Sequence, residues 1–307
     1  MWYISVMKTL KETTRKDYAE RMLTVLQHIQ QHLDEPLALE ELASLACFSP
    51  FHFHRIFRGM VGESVKGHIR RLRLERAASR LKNGQRSVTD IAFEAGFEAH
   101  ESFTRAFGTV FGVSPRDYRR SQQVFVSQKG SIHFIPNRQL SEFHPNRLEN
   151  ETMDVKLVSL ETMKVAYVHH VGPYDECGKA WETLCTWAGP QGLIRPDTMF
   201  IGLSYDDPDV TPLEKIRYDA CLRIDTDIDP EGDIGMQSIE AATYAMTTYF
   251  GPYDQFSKTY AQLCGQWIPA HGYEIASRPS IEVYQNSPED TEPEDLITDV
   301  HVPLDSI

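Results

Sequence analysis

The chain has 307 residues, of which 41% are hydrophobic, which is enough for about two domains with buried cores. No run of about 18 apolar residues occurs, and the first ten residues lack the long apolar stretch of a signal peptide. We therefore expect a cytoplasmic protein with no membrane partner. The five cysteines are an odd number and form no C-x-x-C pair, which predicts reduced thiols and neither a metal site nor a cofactor.

The net charge of −13 is distributed unevenly along the chain. Residues 1–124 contain 19 Lys+Arg and 14 Asp+Glu, a net charge of +5, whereas residues 151–307 contain 9 and 28, a net charge of −19. A basic segment attracts phosphates and an acidic segment repels them. If the protein binds nucleic acid, we expect it to do so through the first segment.

A repeat occupies the basic segment. Glu41–Phe48 aligns with Asp90–Phe97 without a gap. After one extra residue in the second copy, the aligned positions are Phe53, Arg55, Phe57, Gly62 and Ser64 with Phe103, Arg105, Phe107, Gly112 and Ser114. Each copy predicts a short helix, a tight turn and a second helix, which is the helix-turn-helix pattern.

Local signals support these helices. Ser87-x-x-Asp90 and Ser114-x-x-Asp117 have the spacing of capping boxes, and Gly96 permits a positive φ in the second turn. Ser64–Leu81 has apolar residues at helical spacing with arginines between them, and Asn83-Gly84 follows. This segment predicts a helix that links the two copies.

The second helix of each unit is the one expected to enter the major groove of DNA. We expect Phe53, Ile56 and Phe57 to face the core in the first unit, and Phe103, Ala106, Phe107 and Val110 in the second. The side chains left to point outward are Phe51, His54, Arg55 and Arg58 in the first unit, and His100, Glu101, Ser102 and Arg105 in the second. An arginine at such a position can reach guanine or a phosphate.

Residues 20–122 resemble the DNA-binding domain of the AraC/XylS family of transcription regulators. The resemblance rests on Asp90–Glu98, Phe103–Phe107 and Phe111–Arg119. It implies a seven-helix domain whose two recognition helices enter adjacent major grooves of an asymmetric site. The base-contacting positions it implies are Phe51, His54, Arg55, His100, Glu101, Ser102 and Arg105. Phe51 and His54 replace a tryptophan and a glutamine found in some members, so the target sequence does not transfer.

A second repeat fills the acidic segment. Gly172-Pro173-Tyr174-Asp175 recurs as Gly251-Pro252-Tyr253-Asp254. At the same offset, Lys179, Leu184, Cys185 and Tyr205 recur as Lys258, Leu263, Cys264 and Tyr284. Each copy predicts a strand, a turn, a helix and two strands. Two such βαββ units predict a pseudo-symmetric α+β domain with a cleft between its halves.

This segment resembles the GyrI-like effector-binding domain of many regulators, through the paired Gly-Pro-Tyr turns, Pro279–Tyr284 and Thr298–Leu304. The resemblance implies a cleft that binds hydrophobic, often cationic molecules. In a strand, Glu282 and Tyr284 point to the same face, and a carboxylate beside aromatic rings suits a lipophilic cation. The predicted ligand-binding residues are Trp181, Trp187, Tyr205, Trp267, Glu282 and Tyr284.

The sequence thus predicts a multidomain protein, with an all-α double helix-turn-helix domain (1–124), a connector (125–150) and an α+β domain of two βαββ repeats (151–307). Val124–Val126 and Ile132–Ile135 are candidate short strands of the connector. The predicted function is a non-enzymatic transcription regulator that binds double-stranded DNA and a small-molecule effector.

Two alternatives remain open. In the first, the C-terminal domain is a hydrolase in which Glu282 acts as general base, although no second catalytic group stands out. In the second, its acidic surface binds a protein, so that the domain acts as a protein inhibitor or contacts RNA polymerase.

Overall fold

The computed structural model describes residues 2–49, 51–121, 130–146, 153–206, 211–226 and 228–305, with side chains from residue 11 onward. By internal contacts the chain divides into two compact units. The sheet unit comprises Met1–Asp17, Phe48–Met60 and Arg147–Ile307, and the helical unit comprises Tyr18–Cys47 and Val61–Asn146. The short segment Phe48–Met60 therefore packs with the C-terminal residues. The domain boundaries at 124 and 151 are predicted from the sequence repeats and not from contacts, and they stay a prediction.

Seven α-helices lie within residues 2–49 and 51–121, in agreement with the prediction. They are α1 (Trp2–Gln31), α2 (Leu39–Leu45), α3 (Phe53–Val61), α4 (Val65–Asn83), α5 (Val88–Glu94), α6 (His100–Phe111) and α7 (Pro115–Arg120). None of the helices in the described ranges is both long enough and apolar enough to span a lipid bilayer.

The two turns of the predicted helix-turn-helix motifs share one backbone feature. Gly96 has a φ of 78°, and Cys47, the residue that aligns with it in the first copy, has a φ of 53°. Both residues therefore adopt the left-handed conformation, which a residue with a Cβ adopts at a cost. The predicted caps are also present, because the side chains of Ser87 and Ser114 accept hydrogen bonds from the backbone N–H groups of Asp90 and Asp117.

Helix α4 supports the helical unit through both apolar and charged contacts. Its apolar side packs into a core with α5, α6 and α7 that includes Leu74, Leu81, Phe103 and Phe107. Arg71 is one of the arginines between the apolar residues of this helix, but it is buried and pairs with Glu63 and Glu75. Because its guanidinium group is buried and paired with two carboxylates, this arginine is not a candidate for phosphate binding.

Residues 130–146 contain no strand, so the prediction for Ile132–Ile135 is wrong. The reason is visible at Glu75, whose carboxylate accepts a hydrogen bond from the backbone N–H of Phe134. The backbone N–H of Phe134, which would bond to a neighbouring strand in a sheet, is thus bonded to a side chain. Val124–Val126 lies outside the described residues.

The sheet unit contains an eight-stranded antiparallel sheet with the order β1-β6-β8-β7-β3-β4-β2-β5. The strands are β1 (Lys156–Leu160), β2 (Met163–Val171), β3 (Phe200–Ser204), β4 (Arg217–Ile224), β5 (Gly235–Ile239), β6 (Ala242–Phe250), β7 (Ser280–Tyr284) and β8 (Ile297–Leu304). Helix α8 (Gly178–Ala188) follows β2, and α9 (Phe256–Gln262), a π-helical segment (Leu263–Trp267) and α10 (Ile268–Ala270) follow β6.

The sheet confirms the two βαββ repeats and adds one strand to each half. Edge strand β1 precedes the first repeat but pairs with β6 of the second, and β5 precedes the second repeat but pairs with β2 of the first. The repeats meet at the β3–β7 pair, where Gly202 lies opposite Glu282 and Ser204 opposite Ser280. The offset from β3 to β7 is one position longer than the offset from β2 to β6, so the second repeat has a single insertion between β6 and β7.

Each face of the sheet has its own core. Helix α8 packs on one face, against residues such as Ala166, Tyr218 and Leu222. The opposite face carries Val165, Ile201, Cys221, Ile281 and Val283. Side chains alternate between the two faces along a strand. Because Ile281 and Val283 lie on the face opposite α8, Glu282 between them lies on the face that α8 covers.

Candidate functional site

Helix α6 presents the predicted DNA-contacting residues of the second unit at the surface. Glu101 and Arg105 are exposed, and His100 and Ser102 are partly exposed. On the other side of the helix, Phe103 and Phe107 are fully buried and Ala106 is nearly so, as expected. Val110 is only partly buried. The helix therefore has an anchored apolar side and a free polar side.

Helix α3 differs from the prediction. We expected His54 and Arg55 to point outward, but each is only 7% exposed, and Phe51 is partly buried. The apolar periodicity correctly identifies Phe53, Ile56 and Phe57 as buried. The error has a tertiary cause, because the side of α3 that should face solvent packs on residues of the C-terminal repeat.

The carboxylate of Glu282 is the centre of a buried polar cluster on β7, where this residue is 4% exposed. Its Oε1 accepts hydrogen bonds from the hydroxyl groups of Ser204 and Tyr260, each at 2.8 Å. Its Oε2 accepts one from the hydroxyl of Tyr284, also at 2.8 Å. A buried charge is costly unless it is hydrogen-bonded, and three hydroxyl donors provide that compensation.

A chain of hydrogen bonds extends from this carboxylate to helix α8. The hydroxyl groups of Tyr284 and Tyr218 lie 3.0 Å apart, and Trp181 Nε1 donates to Tyr218 at 3.2 Å. Gly202 makes room for the pair, because a Cβ at this position would lie 2.6 Å from both hydroxyl oxygens. Burial, followed by the charge of Glu282, raises the pKa of Tyr218 and that of Tyr284 well above the ordinary value. The hydroxyls therefore keep their protons and remain donors.

Aromatic rings surround the cluster. Tyr284 makes edge contacts with Trp181 at 5.7 Å and with Tyr253 at 5.3 Å between ring centroids, and Tyr174 meets Tyr218 at 5.9 Å. Tyr174 and Tyr253 come from the two Gly-Pro-Tyr turns. Burial raises the pKa of Tyr253 to about 12, with a further contribution from Glu282. A carboxylate within a ring of π-faces is suited to a cation with an apolar body.

A cation of the protein itself occupies this place. The guanidinium carbon of Arg55 lies 3.5 Å from the centroid of the Tyr260 ring, and Nη1 donates to Ser280 Oγ at 2.7 Å. Burial alone would lower the pKa of Arg55, but Tyr260, Cys264, Tyr174 and Glu282 together raise it. The guanidinium group therefore stays charged within the cluster.

The structure brings together three of the six predicted ligand-binding residues, namely Trp181, Glu282 and Tyr284. Trp187 packs in the α8 core, and the ring of Trp267 stacks on His271 at 4.0 Å. Tyr205 packs against the opposite face of the sheet, where its hydroxyl donates to Asp219 at 2.7 Å. The single insertion explains this, because it makes Ser204, and not Tyr205, the structural counterpart of Tyr284.

The sequence interpretation overlooked Ser204, Tyr218, Tyr260 and Ser280. One signal was available, since Tyr260 aligns with Trp181 at the offset of the Gly-Pro-Tyr turns and so occupies the same place in the second repeat. Ser204 and Ser280 become neighbours of Glu282 only through the register of β3 with β7. Nothing in the repeat indicated that Arg55 would join them.

Two family models match the chain. A helix-turn-helix domain covers residues 42–121, and a GyrI-like small molecule binding domain covers residues 153–305.

Curated relatives agree with these matches. The chain is 35% identical to the uncharacterized HTH-type transcriptional regulator YbfP of Bacillus subtilis, over 43% of this chain and 46% of the relative. It is 36% identical to the transcriptional regulator Rob of Salmonella typhimurium, over 41% and 42%. It is 32% identical to the regulatory protein SoxS of the same organism, over 31% of this chain and 90% of the relative. The matched segment spans less than half the length of the first two relatives.

Proposed function

Because the chain belongs to the AraC family of transcription regulators and carries a GyrI-like domain, we propose that it binds double-stranded DNA in response to a small cationic effector. The observation that carries the proposal is the buried carboxylate of Glu282, held by three hydroxyl donors within a ring of aromatic side chains. A regulator needs a site to which a ligand binds reversibly, and this cluster offers a negative charge with aromatic side chains beside it.

The proposed DNA contacts of α6 are His100, Glu101, Ser102 and Arg105. Arg105 is exposed on the outer side of the helix, where a guanidinium group can donate to guanine O6 and N7. Those proposed for α3 are Phe51, His54 and Arg55, which requires that this helix become exposed. The net charge of +5 on residues 1–124 supports an approach of DNA to this part of the chain.

The proposed effector has a planar cationic group attached to an aromatic body. Arg55 supports this choice, because its guanidinium group stacks on Tyr260 and donates to Ser280 in the same cluster. An amidinium group is also planar, carries the same charge and donates hydrogen bonds through its N–H groups. Benzamidine is therefore a suitable probe, and benzamide, its neutral analogue, is the matched control.

Selection of bound DNA from a random pool, performed with the whole 307-residue chain, tests the proposal. We expect enrichment of a defined sequence and a change in its affinity when benzamidine is added, with no change for benzamide. Absence of any enriched sequence would refute the DNA-binding role, and identical affinity in all three conditions would refute the sensing role.

We further propose that the sheet unit is not an enzyme and that the protein acts in the cytoplasm. Both oxygens of Glu282 already accept hydrogen bonds from protein hydroxyls, which leaves this carboxylate poorly placed to activate water. Hydrolysis assays with ester substrates test the first statement. A contact of the acidic surface with RNA polymerase stays a prediction, which a pull-down experiment tests.

A further inference from the structure

We infer that Arg55 is an internal occupant of the effector site, so that the effector and the first recognition helix compete for the same cluster. This inference rests on the proposed function, because it concerns the regulation of the site proposed there. It follows from the contacts of α3 within the sheet unit and from the groups that the Arg55 side chain contacts, the ring of Tyr260 and the hydroxyl of Ser280.

Helix α3 is held against the second repeat by backbone contacts that require glycine on both sides. A Cβ on Gly265 would lie 2.6 Å from Gly59 Cα and 2.8 Å from the carbonyl oxygen of Ile56. A Cβ on Gly59 would lie 2.0 Å from the carbonyl oxygen of Ala261. Such distances leave no room for a methyl group, so the two helical segments pack backbone to backbone.

Polar contacts fix the position of the helix along this surface. Gln266 Nε2 donates to the carbonyl oxygen of Gly59 at 2.9 Å, and His52 Nε2 lies 2.7 Å from the carbonyl oxygen of Arg278. Burial, reinforced by the charge of Arg55, lowers the pKa of His52 to about 3. The ring is therefore neutral at physiological pH and donates its single proton to Arg278.

Arg55 extends from this docked helix into the cluster that the effector would use. It stacks on Tyr260, whose hydroxyl donates to Glu282, and it donates to Ser280, on the same strand β7 as Glu282. A cationic effector needs the same aromatic face and the same negative charge. Two cations cannot share them, because like charges in a poorly solvated site repel each other strongly.

The competition links the ligand to DNA. While Arg55 lies in the cluster, Arg55 and His54 are buried and cannot reach a base edge. An effector that takes its place favours release of α3, which then becomes available to a second major groove. Linkage requires the converse as well, so DNA that engages α3 raises the affinity for the effector.

Gly265→Ala separates docking from DNA contact, because it adds one methyl group against the backbone of α3 and changes no proposed DNA-contacting residue. Gly178→Ala is the matched control, since a Cβ on this glycine of α8 meets nothing within 4 Å. DNA selection, footprinting and calorimetry with benzamidine are done on the whole 307-residue chain, for both variants and for the wild type.

We expect Gly265→Ala to bind benzamidine more tightly than the control, on the order of tenfold, because the competing arginine has been displaced. We also expect its selected sites to span two adjacent major grooves, whereas those of the wild type without ligand span one. Gln266→Ala removes only one hydrogen bond to α3 and should shift both measurements in the same direction by a smaller factor. It thereby keeps the test valid if Gly265→Ala unfolds, which circular dichroism reveals.

Equal benzamidine affinity and equal footprints in Gly265→Ala, Gln266→Ala and the control would overturn the inference. A longer footprint in Gly265→Ala, with no benzamidine binding by any variant, would instead refute the proposed effector class and support the docking of α3. The two failures are therefore distinguishable.

Discussion

Trp181 of α8 and Tyr260 of α9 occupy the same position in the two repeats, and both belong to the hydrogen-bond network of the Glu282 carboxylate. Tyr260 reaches Glu282 directly through its hydroxyl, whereas Trp181 reaches it through the hydroxyls of Tyr218 and Tyr284. The pseudo-symmetric fold thus places one aromatic donor on each side of a single charge. That charge belongs to one repeat only, since the residue opposite Glu282 is Gly202.

The charge of Glu282 should decide the preference for a cation. In the Gly265→Ala background, where Arg55 no longer competes, Glu282→Gln should weaken benzamidine binding by about 10- to 150-fold, as expected for loss of a charge-assisted hydrogen bond. Benzamide affinity should not change. Calorimetric titration of both proteins measures this, and an equal loss for the two ligands would show that the substitution altered the shape of the site rather than its charge.

Arg105 should contribute to sequence recognition. Arg105→Ala should cost about 1–3 kcal/mol of DNA-binding free energy and relax the preference at one or two base pairs. Arg195→Ala, which removes an exposed arginine from the acidic segment, is the control and should leave binding unchanged. Binding assays on variant operators at several salt concentrations measure both effects. A uniform loss for all sequences would identify a phosphate contact in place of a base contact.

The two left-handed turn positions should respond oppositely to exchange. Cys47→Gly should raise the free energy of unfolding by up to about 1 kcal/mol, because it removes Cβ strain at a φ of 53°. Gly96→Ala should lower the free energy of unfolding by about 1–2 kcal/mol. The added Cβ is strained at a φ of 78°, and it would also lie 3.0 Å from the guanidinium group of Arg73. Urea unfolding measures both. Equal changes of the same sign would contradict the equivalence of the turns.

His52 should make folding stability depend on pH. Its pKa is about 3 in the folded protein, below its ordinary value of 6.5, mainly because of burial. The unfolded chain therefore binds a proton that the folded chain excludes, and stability falls as the pH decreases from 6.5 toward 3. His52→Gln retains an N–H donor for Arg278 and should reduce this slope by up to about 1.4 kcal/mol per pH unit. Urea unfolding at pH 7, 6 and 5 tests it, and an unchanged slope would contradict the assignment.

The sequence alone determined the order of elements and the repeats. Apolar periodicity predicted the buried side of α6, and the serine-to-aspartate spacing predicted the caps at Ser87 and Ser114. The alternation of side chains along a strand placed Glu282 and Tyr284 on one face, where they are hydrogen-bonded. These features depend on residues close in sequence, whose backbone geometry fixes their relation.

Only the tertiary structure decided what meets Glu282. Ser204 reaches it through the β3–β7 register, and a single insertion turns Tyr205 to the other face of the sheet. Arg55 has the spacing of an outward-facing residue but is buried, because Gly59 and Gly265 allow two backbones to approach closely. Helical periodicity identifies the side of a helix that is polar. It does not specify whether solvent, DNA or a repeat from the far end of the chain will cover that side, because that choice depends on the contacts of the folded chain.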